Sequence, residues 1–382
     1  MTCERQTAII KSRNRLSAVC RFDYLMTGVT MNRKRVTIYD IANELGISAS
    51  TVTRALNGKR GVGEKLRADI ANKAAEMGYR TNRLAKGLTH GKIRIGMIVT
   101  NRVNDFHGMV IRGAQQEAER LADYNVELET VLLPCEDIRS RVVQELRRMA
   151  QQRFDGVIFT PNNYYNGYDD VIDELIGQGI AVGSVIVRSD HPDIAFSVCP
   201  DSEQSGRLAA DLFHIANLKP GDDVGVLVGF ESFANHAESI RGFREQSARY
   251  GLNVAGVWQH YDDPEMAYRL VKNLLRETSS IRGVYSSTAT TAPICRAVCD
   301  LGMEKQVLII GTEITRETFA HLENGAMMAT LFQDPLRQGK LAVRAMYEYI
   351  MNVYTDHPRV IRIDPAIVLR GNLDNYNDYL CE

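Results

Sequence analysis

From Ile93 onward, short apolar runs alternate with amphipathic stretches of helical period, and this beat constrains the fold more than any other feature of the chain. Ile93–Val99 reads as a buried strand and Met109–Ala122 as a helix. Strand Val126–Leu133, helix Val142–Gln151, strand Gly156–Phe159, helix Tyr168–Gln178 and strand Ala181–Val187 follow. The beat resumes with Ala209–Ile215, Val224–Val228, Ala237–Tyr250, Asn253–Trp258, Glu265–Arg276, Gly283–Tyr285, Pro293–Leu301 and Val307–Gly311. Such alternation predicts an α/β body of doubly wound parallel sheets, because each helix carries the chain back across a sheet face. The 290 residues from Ile93 to the end are too many for one sheet, so two similar lobes are expected. Ligands of such folds sit outside the carboxyl ends of the strands, which makes a cleft between the lobes the place for a small molecule.

The preceding segment has a different grammar. Thr37-Ile-Tyr-Asp40 reads as a capping box, and Ile38, Ile41, Ala42 and Leu45 follow at helical spacing until Gly46. Ser48 offers a second cap. The helix Ala49–Leu56 then turns Val52, Ala55 and Leu56 inward and leaves Ser50, Thr51, Thr53 and Arg54 outward, with Asn57-Gly58 as its stop. A basic, glycine-rich loop leads to a third helix, about Glu64 to Met77. Two short helices about a glycine turn, followed by a third, make an all-α helix-turn-helix head. Its second helix is the one that enters a major groove, where Arg54 is the natural bidentate reader of guanine and Ala49 and Ser50 also reach base edges. Residues 80–92 are basic and mildly amphipathic, with Leu84 and Leu88 one turn apart, and so short a helix needs a partner.

Charge follows the same division. Residues 31–92 hold 13 Lys/Arg against 5 Asp/Glu, residues 1–30 carry net +3, and the remainder carries net -12. A basic end on an acidic body points to a polyanion partner at that end alone. The seven cysteines are scattered without a C-x-x-C pair, as in a reducing cytoplasm, and no metal or cofactor is expected. No apolar run approaches the ~20 residues that cross a bilayer, so no membrane partner is expected. Residues 1–30 lack periodicity and Met31 directly precedes the head. They are read as a disordered extension or one that is not translated.

The run Val36-Thr-Ile-Tyr-Asp-Ile-Ala-Asn-Glu-Leu-Gly-Ile-Ser-Ala-Ser-Thr-Val-Thr-Arg-Ala-Leu-Asn57, with Gly78-Tyr79 and Asn82-Arg83-Leu84-Ala85, resembles the head of the lactose-repressor/galactose-repressor family over about fifty ungapped residues. The resemblance implies a homodimeric repressor on a near-palindromic operator in double-stranded DNA. It puts Ala49, Ser50 and Arg54 at base-reading positions, and Ser48, Thr51, Thr53 and Asn57 mainly on the backbone. Thr37, Tyr39, Asn82, Arg83 and Ala85 complete the implied DNA contacts. Leu88 falls where the family has a leucine that wedges into the minor groove. Thr81 stands where proline is common, and Gly87 lies inside the implied hinge helix, where glycine costs ~1 kcal/mol against alanine. Gly63 replaces a usual serine cap.

Over roughly residues 93–372 the body resembles the type I periplasmic sugar-binding fold that the same family uses as its sensor. Ile240-Arg-Gly-Phe243, Leu308-Ile-Ile-Gly-Thr-Glu313 and Leu331-Phe-Gln-Asp-Pro335 carry that resemblance. It implies crossings between lobes near Cys199–Ser202, near Gln333 and near Tyr354–Pro358. One lobe is then 93–199 with 334–355, the other 200–333 with 356–374, and 375–382 form a tail. It also implies that Met109–Ala122 helps form the dimer face. Polar and aromatic residues just past strand ends are the expected effector contacts: Asn101, Asp105, Phe106, Asn162, Asn163, Arg188, Asp201, His236, Thr288, Glu313 and Gln333. Hydroxyls pair with such amides, carboxylates and guanidinium groups, while an aromatic face covers ring carbons, so a sugar or polyol suits the set. Ser239 replaces a common arginine, Ser286-Ser287-Thr288 a common Asn-Asp, and Glu313 an aspartate.

Two rival classes are weaker. A transport binding protein would share the body but lack the head and carry a signal peptide. An enzyme would show an H-E-x-x-H, G-x-S-x-G, P-loop or Rossmann glycine pattern, none of which the chain contains. A regulator that binds DNA without a ligand is the nearer alternative.

Overall fold

The computed structural model describes residues 36–56, 61–77, 91–101, 106–134, 137–161, 167–353 and 359–379. The chain divides into two compact units between Arg80 and Thr81. Among the described residues the first holds three helices: α1 (Ile38–Leu45), α2 (Ala49–Leu56) and α3 (Glu64–Glu76). Thr37 caps α1 in a reciprocal capping box with Asp40, and Gly46 closes it at φ 65, a left-handed conformation that suits glycine. Ile41, Ala42, Val52, Ala55, Ile70 and Ala74 form the core of this unit.

The second unit contains two six-stranded sheets wired alike. The first runs in the order β11 (Val360–Ile363), β5 (Phe196–Pro200), β4 (Ala181–Val185), β3 (Gly156–Phe159), β1 (Ile93–Asn101), β2 (Val126–Pro134), all parallel. The second runs β12 (Ala366–Val368), β10 (Ala329–Phe332), β9 (Leu308–Thr312), β8 (Ile281–Ser286), β6 (Asp223–Val228), β7 (Asn253–Gln259), parallel except for β12 against β10. The helices α4 (Phe106–Arg120), α5 (Ile138–Gln151), α6 (Asp169–Gly177) and α12 (Pro335–Ile350) belong to the first lobe. α7 (Ser202–Ile215), α8 (Ala234–Arg249), α9 (Pro264–Glu277), α10 (Ala292–Asp300) and α11 (Arg316–Asn324) belong to the second. All residues of β3, β5 and β10 are buried, as expected for strands covered on both faces.

Each lobe has one helix pair brought to backbone contact by glycines. A Cβ at Gly113 of α4 would strike the Leu336 carbonyl of α12, and one at Gly339 the Val110 carbonyl of α4. In the second lobe Gly206 of α7 faces the Ser239 carbonyl of α8, and Gly242 faces that of Glu203.

Three sequence expectations need correction. The last crossing falls at Asp364–Pro365, not near Tyr354–Pro358, because Val360–Ile363 pairs with β5 and extends the first lobe before β12 joins the second. The strand expected over Ala181–Val187 stops at Val185: Ile186 takes φ 71, a strained geometry for a β-branched residue, and turns the chain out of the sheet. Helix α7 starts seven residues earlier than its apolar period indicated, because the Asp201 side chain caps it through Gln204 N at 2.9 Å.

Candidate functional site

Two surfaces follow from this fold. On the head, α2 buries Val52 and Ala55 and leaves Ser50, Thr53 and Arg54 exposed, with Ala49 and Thr51 half-buried. Ser48 Oγ accepts from Thr51 N at 3.1 Å and lies 2.8 Å from both Ser50 Oγ and Thr51 Oγ1. Thr53 Oγ1 donates back to the Ala49 carbonyl at 2.9 Å. The cap ties the first turn together, so the small hydroxyl side chains lie close against the helix and Arg54 is the long group on its outer face. Thr37 is exposed, and Tyr39 keeps 66% of its surface in solvent, an apolar ring left out of the core. Asn57, Asn82, Arg83, Ala85 and Leu88 lie outside the described residues.

In the body, the carboxyl ends of both sheets face one cavity of about 140 Å³. At the ~30 Å³ that one water takes in the liquid, this is room for about five waters, so a ring-sized ligand fills it completely. Thr100 is the penultimate residue of β1, and Phe106 and His107 open α4. Thr160 and Pro161 follow β3, and Ile186 and Val187 follow β4 at the turn described above. The second lobe supplies Phe233, Asn235 and His236 at the start of α8, and Asp262 after β7. Ser287 and Thr288 come after β8, Glu313 after β9 and Gln333 after β10. His236 Nδ1 is 2.8 Å from the Phe230 carbonyl oxygen, and its ring stacks on Phe233 with centroids 5.6 Å apart.

The polar accounting of this cavity is incomplete. Among the described residues, Thr160 Oγ1, Asn235 Oδ1, Ser287 Oγ and Glu313 Oε2 are buried and have no hydrogen-bond partner. One comes from the first lobe and three from the second, and all four residues line the cavity. Buried polar atoms are normally paired, so this convergence marks a surface built to receive donors and acceptors from outside the chain.

Glu313 is the most constrained of them. Its backbone sits at φ 71 and its Oε1 accepts from Gln333 N at 3.1 Å, while Thr330 Oγ1 donates to its carbonyl at 2.8 Å. Burial raises its carboxyl to about 8, against the opposing pull of the Gln333 amide. Behind the cavity, His260 Nε2 lies 3.2 Å from Thr288 Oγ1, and burial lowers its imidazole to about 4, so it stays neutral.

Phe106, His236, Thr288, Glu313 and Gln333, expected from the sequence, all line the cavity. Arg188 is not among the lining residues: its guanidinium pairs with Asp190 at 3.0 Å beside the turn. Asp201 caps α7 instead. Asp105, Asn162 and Asn163 lie outside the described residues, as does the side chain of Asn101, whose backbone ends β1. The sequence reading missed Thr100, His107, Thr160, Asn235, Asp262, Ser287 and Thr312. Most of these sit within a residue or two of a strand end, which was the signal available for them. A larger surface groove of about 780 Å³ runs along α5, but it draws on one lobe only and its arginines are already matched, Arg147 with Glu174 and Arg148 with Glu129 and Glu145.

No helix among the described residues is long and apolar enough to cross a membrane, and no group of three metal-ligating side chains occurs among them. A helix-turn-helix head followed by two sheet lobes about a polar cavity defines the class: a DNA-binding transcription regulator built on a solute-binding fold. The family model of periplasmic binding protein domains matches residues 95–352, and that of bacterial regulatory proteins of the lacI family matches residues 37–82. The chain belongs to the lacI family of bacterial regulatory proteins. It is 24% identical to catabolite control protein A of Priestia megaterium, over 88% of this chain and 98% of that one. It is 22% identical to the ribose operon repressor of Haemophilus influenzae, again over 88% and 98%. Among solved structures, a periplasmic solute-binding protein of Actinobacillus succinogenes with bound D-allose aligns with a TM-score of 0.68 at 21% identity, covering 75% of this chain and all of that one.

Proposed function

We propose that the chain is a homodimeric, cytoplasmic repressor that reads a near-palindromic operator through α2 and takes a small polyhydroxylated effector, a sugar or polyol, into the interlobe cavity. The observation that carries the effector reading is the set of four orphaned buried oxygen atoms, supplied by both lobes around a space of about 140 Å³. A ligand rich in hydroxyls satisfies such atoms from several directions, while Phe106 and Phe233 offer aromatic faces to its carbon skeleton. The ribose operon repressor and the D-allose-binding protein support the same chemistry. The operator reading rests on the exposed Arg54 and the capped hydroxyl face of α2.

Because the cavity lies between two lobes, a ligand bonded to both favours their closed arrangement. The DNA-competent state then gains or loses population by the ligand's differential affinity and by no more. The test is a thermal-shift screen of pentoses, hexoses and polyols on the full-length protein, followed by operator titration with each hit. A hit should raise the melting temperature and change operator affinity. A panel in which nothing shifts melting overturns the effector reading. Equal affinity for every genomic fragment and for bulk competitor DNA overturns the operator reading.

A further inference from the structure

The described wall of the cavity carries carboxyl groups but no permanent cation. Among its described lining residues are two carboxylic acids, Glu313 and Asp262, two histidines, His107 and His236, and neither lysine nor arginine. The nearby Arg188 is paired with Asp190. Glu313 is 3% exposed, its Oε2 has no partner among the described residues, and its Oε1 is held by Gln333 N at 3.1 Å. Its left-handed backbone and the Thr330 bond to its carbonyl keep the carboxyl where it is. A buried carboxylate without a cation is costly, and the counter-charge that would ionise it is missing from the described wall of the cavity.

We propose that the effector is a cationic polyhydroxylated molecule, an amino sugar or amino polyol, whose ammonium group bonds to Glu313 Oε2 while its hydroxyls meet Thr160, Asn235 and Ser287. This inference rests on the reading of the cavity as the effector site. An ammonium group brings three donors and a positive charge, and a charge-assisted bond to a desolvated carboxylate is stronger than a bond from a neutral hydroxyl. An anionic ligand meets two acids and, for positive charge among the described residues, only the two histidines, so sugar phosphates and sugar acids are disfavoured.

Without a ligand, burial holds the Glu313 carboxyl up at about 8, so it carries a proton at neutral pH. Docking an ammonium beside it favours the carboxylate, and that proton leaves to solvent. The other ionisable groups around it are Asp262, His107 and His236 on the cavity wall, Asp334 on the crossover, and His260 behind Thr288. Asp334 opposes proton loss from Glu313, and an acidic wall also draws a cation, so both effects keep the binding cation-selective. His260 stays neutral because burial lowers it to about 4.

The experiment is calorimetric titration of the full-length protein with matched pairs: glucosamine and glucose, galactosamine and galactose, mannosamine and mannose, glucamine and sorbitol. At least one amine should bind about tenfold or more tightly than its neutral partner. Run in two buffers of different ionisation enthalpy near pH 6.5, where the free amine is itself protonated, that amine should release most of a proton per site, and its affinity should rise with pH toward 7. Glu313→Gln should bring the amine to within a few-fold of its neutral partner. A neutral member that binds as well as or better than its amine, or amine binding without proton release in the wild type, overturns the inference while leaving the sugar or polyol reading intact. Binding by no member of any pair overturns both. Proton release is read on the wild-type protein, so the result does not depend on the variant folding.

Discussion

At the scale of single residues, a few side chains have surroundings that assign them a task. Arg54 is the one long exposed side chain on an outer face of α2 otherwise made of small residues. Arg54→Ala should cost about 1–3 kcal/mol of operator affinity and relax the base preference at one position of each half-site, as read by titrating duplexes substituted one base pair at a time. A loss that is uniform across all sequences would instead make Arg54 a phosphate contact. Glu313 yields a second prediction. Its carboxyl is raised from 4.5 to about 8 in the folded chain, so the folded state keeps a proton that the unfolded state releases. That contribution is fully present below 4.5 and is lost as pH rises through 8. His260, lowered from 6.5 to about 4, has the opposite slope, but only below 6.5. His321, also lowered by burial, behaves likewise, so among the described groups with a shifted carboxyl, imidazole or thiol the Glu313 slope acts alone between pH 6.5 and 8, and ligand-free protein should lose about 2 kcal/mol over this window. Glu313→Gln should flatten the loss in denaturant midpoints measured across the same pH range. Position past a strand end was enough to mark Glu313, Gln333, Thr288 and His236 in the sequence. It could not separate them from Arg188, because that residue's removal from the cavity depends on Ile186 turning left-handed and on a local Asp190 partner, and neither has a periodic signature.

At the scale of elements, the helix pair α4 and α12 crosses with backbone against backbone, and so does α7 with α8. Gly339→Ala places a methyl group on the Val110 carbonyl, an atom that cannot rotate away. Overpacking of this kind costs about 1–3 kcal/mol and should lower the melting temperature by several degrees. Gly325→Ala makes a useful contrast: nothing lies within 4 Å of its added carbon, but its φ of 82 makes the strain conformational. If Gly339→Ala melted with the wild type, the close crossing would be wrong. The alternation of strands and helices was legible because each buried strand is an apolar run and each helix an amphipathic one. β5 and β11 were not read: Phe196-Ser-Val-Cys-Pro200 mixes in polar side chains, and Val360-Ile-Arg-Ile363 follows a polar stretch that looks like a crossing. Inside the sheet the polarity is accounted for, since Ser197 Oγ accepts from Ser184 Oγ at 2.7 Å across neighbouring strands.

At the scale of the molecule, the lobes are joined by three passages of chain: the second carries Gln333 and Asp334 beside Glu313, and the first carries Asp201, which Arg362 approaches. From β11 of the first lobe, Arg362 reaches Glu238 of α8 at 3.6 Å and Asp201 at 3.9 Å, so an ion pair already spans the lobes near the passages. Both partners are partly solvated, so the pair is worth about 1 kcal/mol or less, enough to bias a balanced equilibrium but not to lock it. A cavity shared by two lobes cannot be filled without altering their preferred arrangement, and a regulator exploits this only if the DNA-bound state prefers one arrangement. Thermodynamic linkage then imposes a symmetric test. Whatever factor a ligand applies to operator affinity, saturating operator duplex must apply to the affinity for that ligand, in the same direction. Calorimetric titration of the full-length protein with and without duplex measures one side, and operator titration with and without ligand measures the other. Arg362→Ala should change both ligand affinities together by less than about fivefold, since it shifts the lobe equilibrium without touching the cavity. Ligand affinity that ignores the presence of operator would mean that the cavity binds its molecule without informing the head, and the protein would be a regulator and a binding protein on one chain rather than an allosteric switch.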